Sequence, residues 1–368
     1  MTYLALRNLF QNTFRLILSI SGVASSIALI VLLRGFLSGI YVQVTAYLDN
    51  TPVDWVVSQE GIRNLLGGTS FLPPSTEDLA QGISGVEDII PIVAQYAILD
   101  IHDEKVVGYM VGYDPDIGGG PWSLLAGREL DDDDEIILDW VMAEDHGLKI
   151  GDNIEILDEE FEIVGLSADT SSWMANFFFI KKEAAEQLLL APEATSFLLM
   201  TAKPGYDKAS IEARLRRRLQ DVEILPSQVV KQNDLDLLVN IFAVPLKMMV
   251  SIAFAVGTAI LGMIIYTATV SRASEYGVLK AVGGKNTQLY SLVVQQALLI
   301  SVVGLGLGIL LAWIAGQAVM EVYPKFLVVL RSNDLLPTIV TGIGMGLGAA
   351  LLPALYLSRL DPAEVFRR

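Results

Sequence analysis

Cysteine is absent from this chain of 368 residues, and histidine occurs twice, at His102 and His146. The first absence excludes disulfides, thiolate metal sites and cysteine nucleophiles, and leaves the redox compartment unreadable. The two histidines fall in unrelated acidic stretches, so a metal or acid–base centre needing a histidine pair has no candidate. Charge is scarce as well. Only 18% of residues are Asp, Glu, Lys or Arg, against 52% hydrophobic, with a mean hydropathy of +0.50. That balance is too apolar for an ordinary soluble enzyme and points to an integral membrane protein.

Charge is missing altogether from four runs: Leu16 to Leu33, Met248 to Ser271, Asn286 to Met320 and Leu335 to Ser358. Each is near or beyond the roughly 20 residues that a helix needs to cross a bilayer. The spans are expected at 16–40, 244–270, 288–316 and 335–358. Residues 1–15, with Arg7 and Arg15 and one apolar face, read as an amphipathic helix on the membrane surface. The first run continues through Arg34 and is longer than the apolar core of a secretory leader, so a retained span is expected. Arg34 lies about 27 Å beyond Leu16 along a helix, close enough to the far interface for its side chain to snorkel.

The charge that is present is unevenly placed. The net charge is −17, yet residues 41–240 hold 37 acidic against 13 basic residues, and the remainder is basic. The acidic middle argues against a nucleic-acid partner. Four spans put both termini (residues 1–15 and the tail 359–368) and the loop 271–287 on one side, where Arg7, Arg15, Arg272, Lys280, Lys285, Arg359, Arg367 and Arg368 collect. By the positive-inside rule that side is the cytoplasm of a multi-pass plasma (inner) membrane protein. Residues 41–240 and the short loop 317–334 are then extracytoplasmic.

Within 41–240, strand signals at 53–58, 89–99, 197–201 and 222–225 alternate with helix signals at 75–81, begun by a Ser75 cap, and at 207–220. They read as two β-α-β halves of one α+β domain. A mostly β insertion, about 101–192, interrupts it. The expected fold class is therefore four transmembrane helices plus an extracytoplasmic α+β domain, a split β-α-β core with a β insertion.

The loop from Arg272 to Lys285 reads R-A-S-E-Y-G-V-L-K-A-V-G-G-K. It predicts a short helix with an apolar stripe at Tyr276, Leu279 and Val282, flanked by Glu275 and Lys280 and stopped at Gly283 and Gly284. A greasy helix face at a membrane surface fits a groove on another protein. Gly283-Gly284-Lys285 is not a phosphate loop, because Leu279 and Asn286 stand where Gly and Ser or Thr are needed. In the last span Gly342, Gly344, Gly346 and Gly348 form small-xxx-small faces for close helix packing, within the chain or at a dimer seam. Asp131 to Asp134 with Glu135 lacks the ligand spacing of a calcium loop and reads as a solvated turn. Arg214, Arg216, Arg217 and Arg218 read as a solvated helix face.

The segment S-R-A-S-E-Y-G-V-L-K-A-V-G-G resembles the coupling-helix motif of FtsX/MacB-type ABC transporter permeases. A-L-R-N-L-F-Q-N-T-F-R-L-I-L-S-I-S-G-V resembles the entry helix of that family. L-P-A-L-Y-L-S-R-L-D-P-A-E-V-F-R is similar to its C-terminal signature, with Arg359, Asp361 and Pro362 at the matching positions. G-R-E-L-D-D-D-D-E-I-I-L-D and G-L-K-I-G-D-N-I-E-I resemble its extracytoplasmic core domain.

The resemblance spans nearly the whole chain in order. It implies a four-span permease subunit whose loop, through Arg272, Glu275, Tyr276, Gly277, Leu279, Lys280 and Gly283, docks in a separate cytoplasmic ABC ATPase. ATP and Mg would be held by that partner, with no cofactor on this chain and no catalytic or metal site of its own. It further implies a second permease copy or paralogue in a dimer, contact with membrane lipid, and a periplasmic adaptor as a further partner. Export or extraction of an amphiphile (lipid, lipoprotein, peptide or drug) is the leading expectation. The alternative is a mechanotransmitting regulator of an extracytoplasmic hydrolase or sensor, with no transport.

Overall fold

The computed structural model describes residues 13–102, 104–172 and 176–359. All but the last three residues of the expected N-terminal surface helix, and Asp361 and Pro362 of the C-terminal pattern, lie outside the described residues. The chain divides into a helical unit, residues 1–39, 242–323 and 327–368, and an α/β unit, residues 40–241 and 324–326.

Helix α1 covers Thr13–Asn50, 38 residues and about 57 Å long. The expected span 16–40 is thus only part of one helix. The continuation has a local cause: Val44, Tyr47 and Leu48 recur at helical spacing and are buried, and no residue breaks the helix before Pro52.

The α/β unit then runs β1 Trp55–Gln59, α2 Thr76–Gln81, β2 Val86–Ile101, β3 Glu104–Tyr113, β4 Leu124–Gly127, β5 Glu135–Asp139, α3 Trp140–Asp145, β6 Asn153–Ile156, β7 Glu159–Ser167, β8 Asn176–Lys181, α4 Lys182–Leu188, β9 Phe197–Ala202, α5 Lys208–Arg218, β10 Val222–Pro226 and α6 Ser227–Leu238. One sheet carries all ten strands in the order β10-β1-β9-β2-β3-β8-β5-β7-β4, with β6 paired to β2 and β7. The first four positions are antiparallel and form the split β-α-β core. Strand β2 joins core and insertion without a break, pairing β9 through Val86 to Ile92 and β3 through Val93 to Ile101.

Strands β1, β5, β8 and β9 are buried on successive residues and so on both faces, which explains their nearly continuous apolar runs. Along β8, Phe177 and Phe179 enter one core cluster while Phe178 and Ile180 enter another. Tyr47 of α1 stacks on Phe177, ring centres 5.9 Å apart, and donates its hydroxyl to the carbonyl of Gly119 at 2.7 Å. Asp139 caps α3 by accepting from the amides of Val141 and Met142 at 3.1 and 3.2 Å. Asp207 caps α5 in the same way through Ser210, but the expected Ser75 cap makes no such bond.

After a π turn at Val239–Ala243 come α7 Val244–Val270, α8 Ala273–Ala281, α9 Asn286–Val322 and α10 Leu335–Ser358. Helices α1, α7, α9 and α10 are each long and apolar enough to cross a membrane. Helix α9 outruns the expected third span and leaves a shorter connection to α10.

Small residues let these helices approach. A Cβ at Gly308 would lie 2.8 Å from the Ala24 carbonyl of α1, and one at Gly257 would lie 2.5 Å from Ser26 Oγ. The glycines of α10 serve two neighbours. Gly342 and Gly346 take Leu305 and Ser301 of α9, whereas Gly344 and Gly348 take Phe254 and Thr258 of α7. Ser301 Oγ donates to the Gly342 carbonyl at 2.5 Å. Pro353 removes the helical donor for Ala349 O, and Gly262 of α7 sits against that carbonyl.

Candidate functional site: the hairpin between α7 and α9

Helix α8 is nine residues long and closes the hairpin. Its start follows Ser271 and Arg272 at the end of α7, with Glu275 in the first turn and Lys280 in the last, both favourable to the helix dipole. Its end is a Schellman motif. Gly283 N–H donates to Lys280 O at 3.0 Å, Gly284 N–H donates to Leu279 O at 2.8 Å, and Gly283 holds φ +97°, a left-handed value that favours glycine. Lys285 then leaves in extended conformation and its amide donates to Gln288 Oε1 at 3.2 Å, opening α9.

Two attachments, through Tyr276 and Lys280, hold α8 to the helical unit, and a third contact, from Arg15, holds the end of α7 just before it. Tyr276 is 3% exposed and packs in one cluster with Ile265, Leu289, Leu292, Val293 and Leu357. Burial pushes its phenol pKa up, with Arg272 opposing and Glu275 adding to the shift. The ammonium of Lys280 donates to Leu357 O at 2.8 Å and reaches Ser358 O at 3.5 Å, at the negative end of α10. Arg15 Nη1 donates to Ser271 Oγ at 3.4 Å. Arg15, Arg272 and Tyr276 also line a small cavity of about 50 Å³ between α1, α7 and α9.

The outward surface of α8 is apolar. Val278 is 44% exposed, Leu279 45% and Val282 85%, with Glu275 exposed beside them. This corrects the stripe expected at Tyr276, Leu279 and Val282. A 3.6-residue period places 275, 278, 279 and 282 on one face, so Tyr276 turns inward and Val278 joins the exposed set. Gly277 is buried beside Tyr276, Gly283 ends the helix, and Lys280 is tied to α10 rather than free at the edge. Val278 was legible through its spacing to Leu279 and Val282.

A second feature of the helical unit is an open groove between α1 and α7 of about 710 Å³, walled chiefly by Leu18, Gly22, Ser26, Ile252, Val256 and Ile260. Its lining is apolar apart from serine hydroxyls. The remaining sequence candidates have structural roles. Glu135 accepts from the amides of Asp131 and Asp132 at 2.7 and 3.1 Å and pairs with Arg128, which pulls its pKa down to about 2 and fixes the acidic turn. Arg216 pairs with Glu212 and donates to Ile224 O at 2.7 Å. His146 Nδ1 lies 2.9 Å from Met142 O at the end of α3. Among the described residues no group of three or more His, Asp or Glu is placed to hold a metal ion.

Four membrane-spanning helices, an α/β unit inserted after the first, and a tethered apolar helix in the hairpin between the second and third define a multi-span permease architecture. Residues 16–218 match the MacB-like periplasmic core domain and residues 247–362 the FtsX-like permease C-terminal domain. The chain belongs to the FtsX/MacB-type ABC transporter permeases, a family of membrane proteins with a periplasmic domain.

It is 22% identical over 368 residues to the uncharacterized ABC transporter permease Rv0072 of Mycobacterium tuberculosis, covering 100% of this chain and 99% of that one. It is 23% identical over 265 residues to the permease MJ1507 of Methanocaldococcus jannaschii, covering 67% and 66%. It is 22% identical over 219 residues, 59% of each chain, to the putative hemin transport system permease protein HrtB of Staphylococcus haemolyticus. Among solved structures it is similar to the periplasmic region of MacB from Actinobacillus actinomycetemcomitans, with a TM-score of 0.39, 14% identity, and 50% of this chain and 92% of that one covered.

Proposed function

We propose that this permease is driven by a separate ATPase that docks on α8 from the cytoplasm, and that its output is motion of the α/β unit rather than bond chemistry. The observation that carries this reading is the division of labour on α8: Tyr276 and Lys280 bind it to the spans, while Val278, Leu279 and Val282 remain uncovered. A surface helix that exposes three aliphatic side chains yet is anchored from behind suits a groove on a partner, and movement of the partner would pull on α10 through Lys280 and on α9 through Tyr276.

In this reading both termini face the cytoplasm, a second copy or paralogue completes a dimer, and the partner holds ATP and Mg. The groove between α1 and α7 supports an amphiphilic substrate, because its apolar walls with a few hydroxyls match an acyl chain or a greasy peptide segment better than a hydrophilic solute. The test is ATP turnover by the complex in lipid nanodiscs. Stimulation by a lipopeptide or lipid that is abolished by Gly22→Trp or Val256→Trp in the groove supports export. Turnover indifferent to amphiphiles, together with capture of a cell-wall hydrolase by the α/β unit, would establish the regulator instead.

A further inference from the structure

The connection from α9 to α10 lies on one face of α1. Val329 N–H donates to Gly35 O at 3.0 Å, and a Cβ at Gly39 would fall 1.7 Å from Leu327 O, so a larger residue there would expel the loop backbone. The seating brings Arg331, from the end of the loop, to the same small cavity as Arg34 of α1. Neither guanidinium lies within 4 Å of a carboxylate among the described residues. Asp334 lines the cavity too, held by Ser38 Oγ at 3.4 Å, so two positive charges share one negative. Arg34 is half-buried and Arg331 exposed.

The depth and the walls specify what would use those charges. Arg34 lies about 27 Å along α1 from Leu16, at the headgroup level of the second interface. Arg331 stands just before the uncharged run of α10. Leu330 and Leu335, 39% and 50% exposed, line the same cavity as the two arginines, together with Val31 and Ile309. Two arginines over an apolar wall suit a ligand with an anionic head and hydrocarbon tails. A free anion would have no use for the leucines, and a neutral hydrocarbon none for the arginines. Guanidinium forks match phosphate oxygens, and basic pockets between helices at the headgroup level bind anionic lipid.

We propose that Arg34 and Arg331 bind the phosphate of an anionic glycerophospholipid in the outer leaflet, with its acyl chains against Leu330 and Leu335. The loop that carries Arg331 is pinned to α1, so the site is built into the fold. It is separate from the groove between α1 and α7 and stands whether or not the chain transports an amphiphile. The outer-leaflet placement rests on the proposed orientation.

The experiment is native mass spectrometry of the full-length chain in detergent, titrated with phosphatidylglycerol. The wild type is expected to retain one tightly held lipid. Arg331→Gln weakens it several-fold, Arg34→Gln with Arg331→Gln weakens it by about tenfold or more, and Asp334→Asn tightens it. Arg331 is exposed, so its variant reports even if the double variant fails to fold. Unchanged retention by Arg331→Gln, equal retention of phosphatidylcholine, or displacement of the lipid by millimolar inorganic phosphate would each overturn the proposal.

Discussion

The ammonium of Lys280 donates to the main-chain oxygen of Leu357, 2.8 Å away, and so joins the short helix of the hairpin to the end of the last span. The bond links residues 77 positions apart in sequence. Lys280→Met removes the charge that meets the carbonyls at the end of α10 but leaves the exposed face of α8 intact. The variant is expected to keep its ATPase and lose most of the coupling. Substrate-stimulated turnover in nanodiscs should fall by about an order of magnitude. Lys280→Arg should recover part of it.

Tyr276 fills the cluster beneath α8, so truncation leaves a cavity where Ile265, Leu292 and Leu357 meet. Tyr276→Ala should cost about 3 kcal/mol of stability, as for large-to-small changes in other cores, while Tyr276→Phe keeps the ring and costs under about 1 kcal/mol. Thermal unfolding of the full chain in detergent checks the order of the two variants.

The glycines of α10 differ in the space beside them. A Cβ at Gly346 would sit 3.0 Å from Ser301 Cβ, whereas one at Gly344 meets only Phe254 at 3.6 Å. Gly346→Leu is therefore expected to part α9 from α10 and lower stability by about 2 kcal/mol or more. Gly344→Ala is expected to be neutral or slightly stabilising, since alanine is the better helix former. Unfolding midpoints of both variants, measured side by side, decide whether these contacts hold within one chain.

Asp234 of α6 is 2% exposed and accepts from the amides of Leu65 and Leu66 at 3.2 and 3.0 Å. Burial pushes its pKa up to about 6 despite those two bonds, which favour the charged form. A carboxyl whose folded pKa is above its unfolded value binds more protons when folded. Its contribution therefore falls as pH rises from about 4 to about 6, by on the order of 3 kcal/mol in all, and is flat above that. Asp234→Asn abolishes this dependence. Across the same window the midpoint of the variant minus that of the wild type should rise with pH, and a constant difference would show that Asp234 does not titrate there.

Much of this molecule was legible because membranes and sheets impose strict patterns. The uncharged run Leu335 to Ser358 coincides with α10, the run Met248 to Ser271 covers all but the first turn of α7, and the strand signals at 197–201 and 222–225 lie within β9 and β10. The reach of α1 to Asn50 was hidden because residues 41–50, of mixed polarity, remain helical by burying Val44, Tyr47 and Leu48, the last two in the core of the α/β unit to which they belong, which hydropathy does not register. Helix α4 and strand β4 were missed because each is short and shaped by its neighbours. In the hairpin the helix and its stop could be read from Gly283 and Gly284. The inward turn of Tyr276 could not, because a stripe taken at every third residue drifts around a helix of 3.6 residues per turn. The pairing of Arg34 with Arg331 depends on a loop laid against Gly35 and Gly39, a relation between distant segments that no local pattern contains.

The exposed face of α8 carries the central claim and can be tested directly. The tagged chain and its Leu279→Glu/Val282→Glu variant are purified from native membranes in mild detergent, and the copurified proteins are assayed for ATP hydrolysis. A separate ATPase that accompanies the wild type and is lost from the folded variant is the predicted result. An ATPase retained equally by both, or absent from the wild type while other membrane complexes survive the same purification, would contradict docking on this helix.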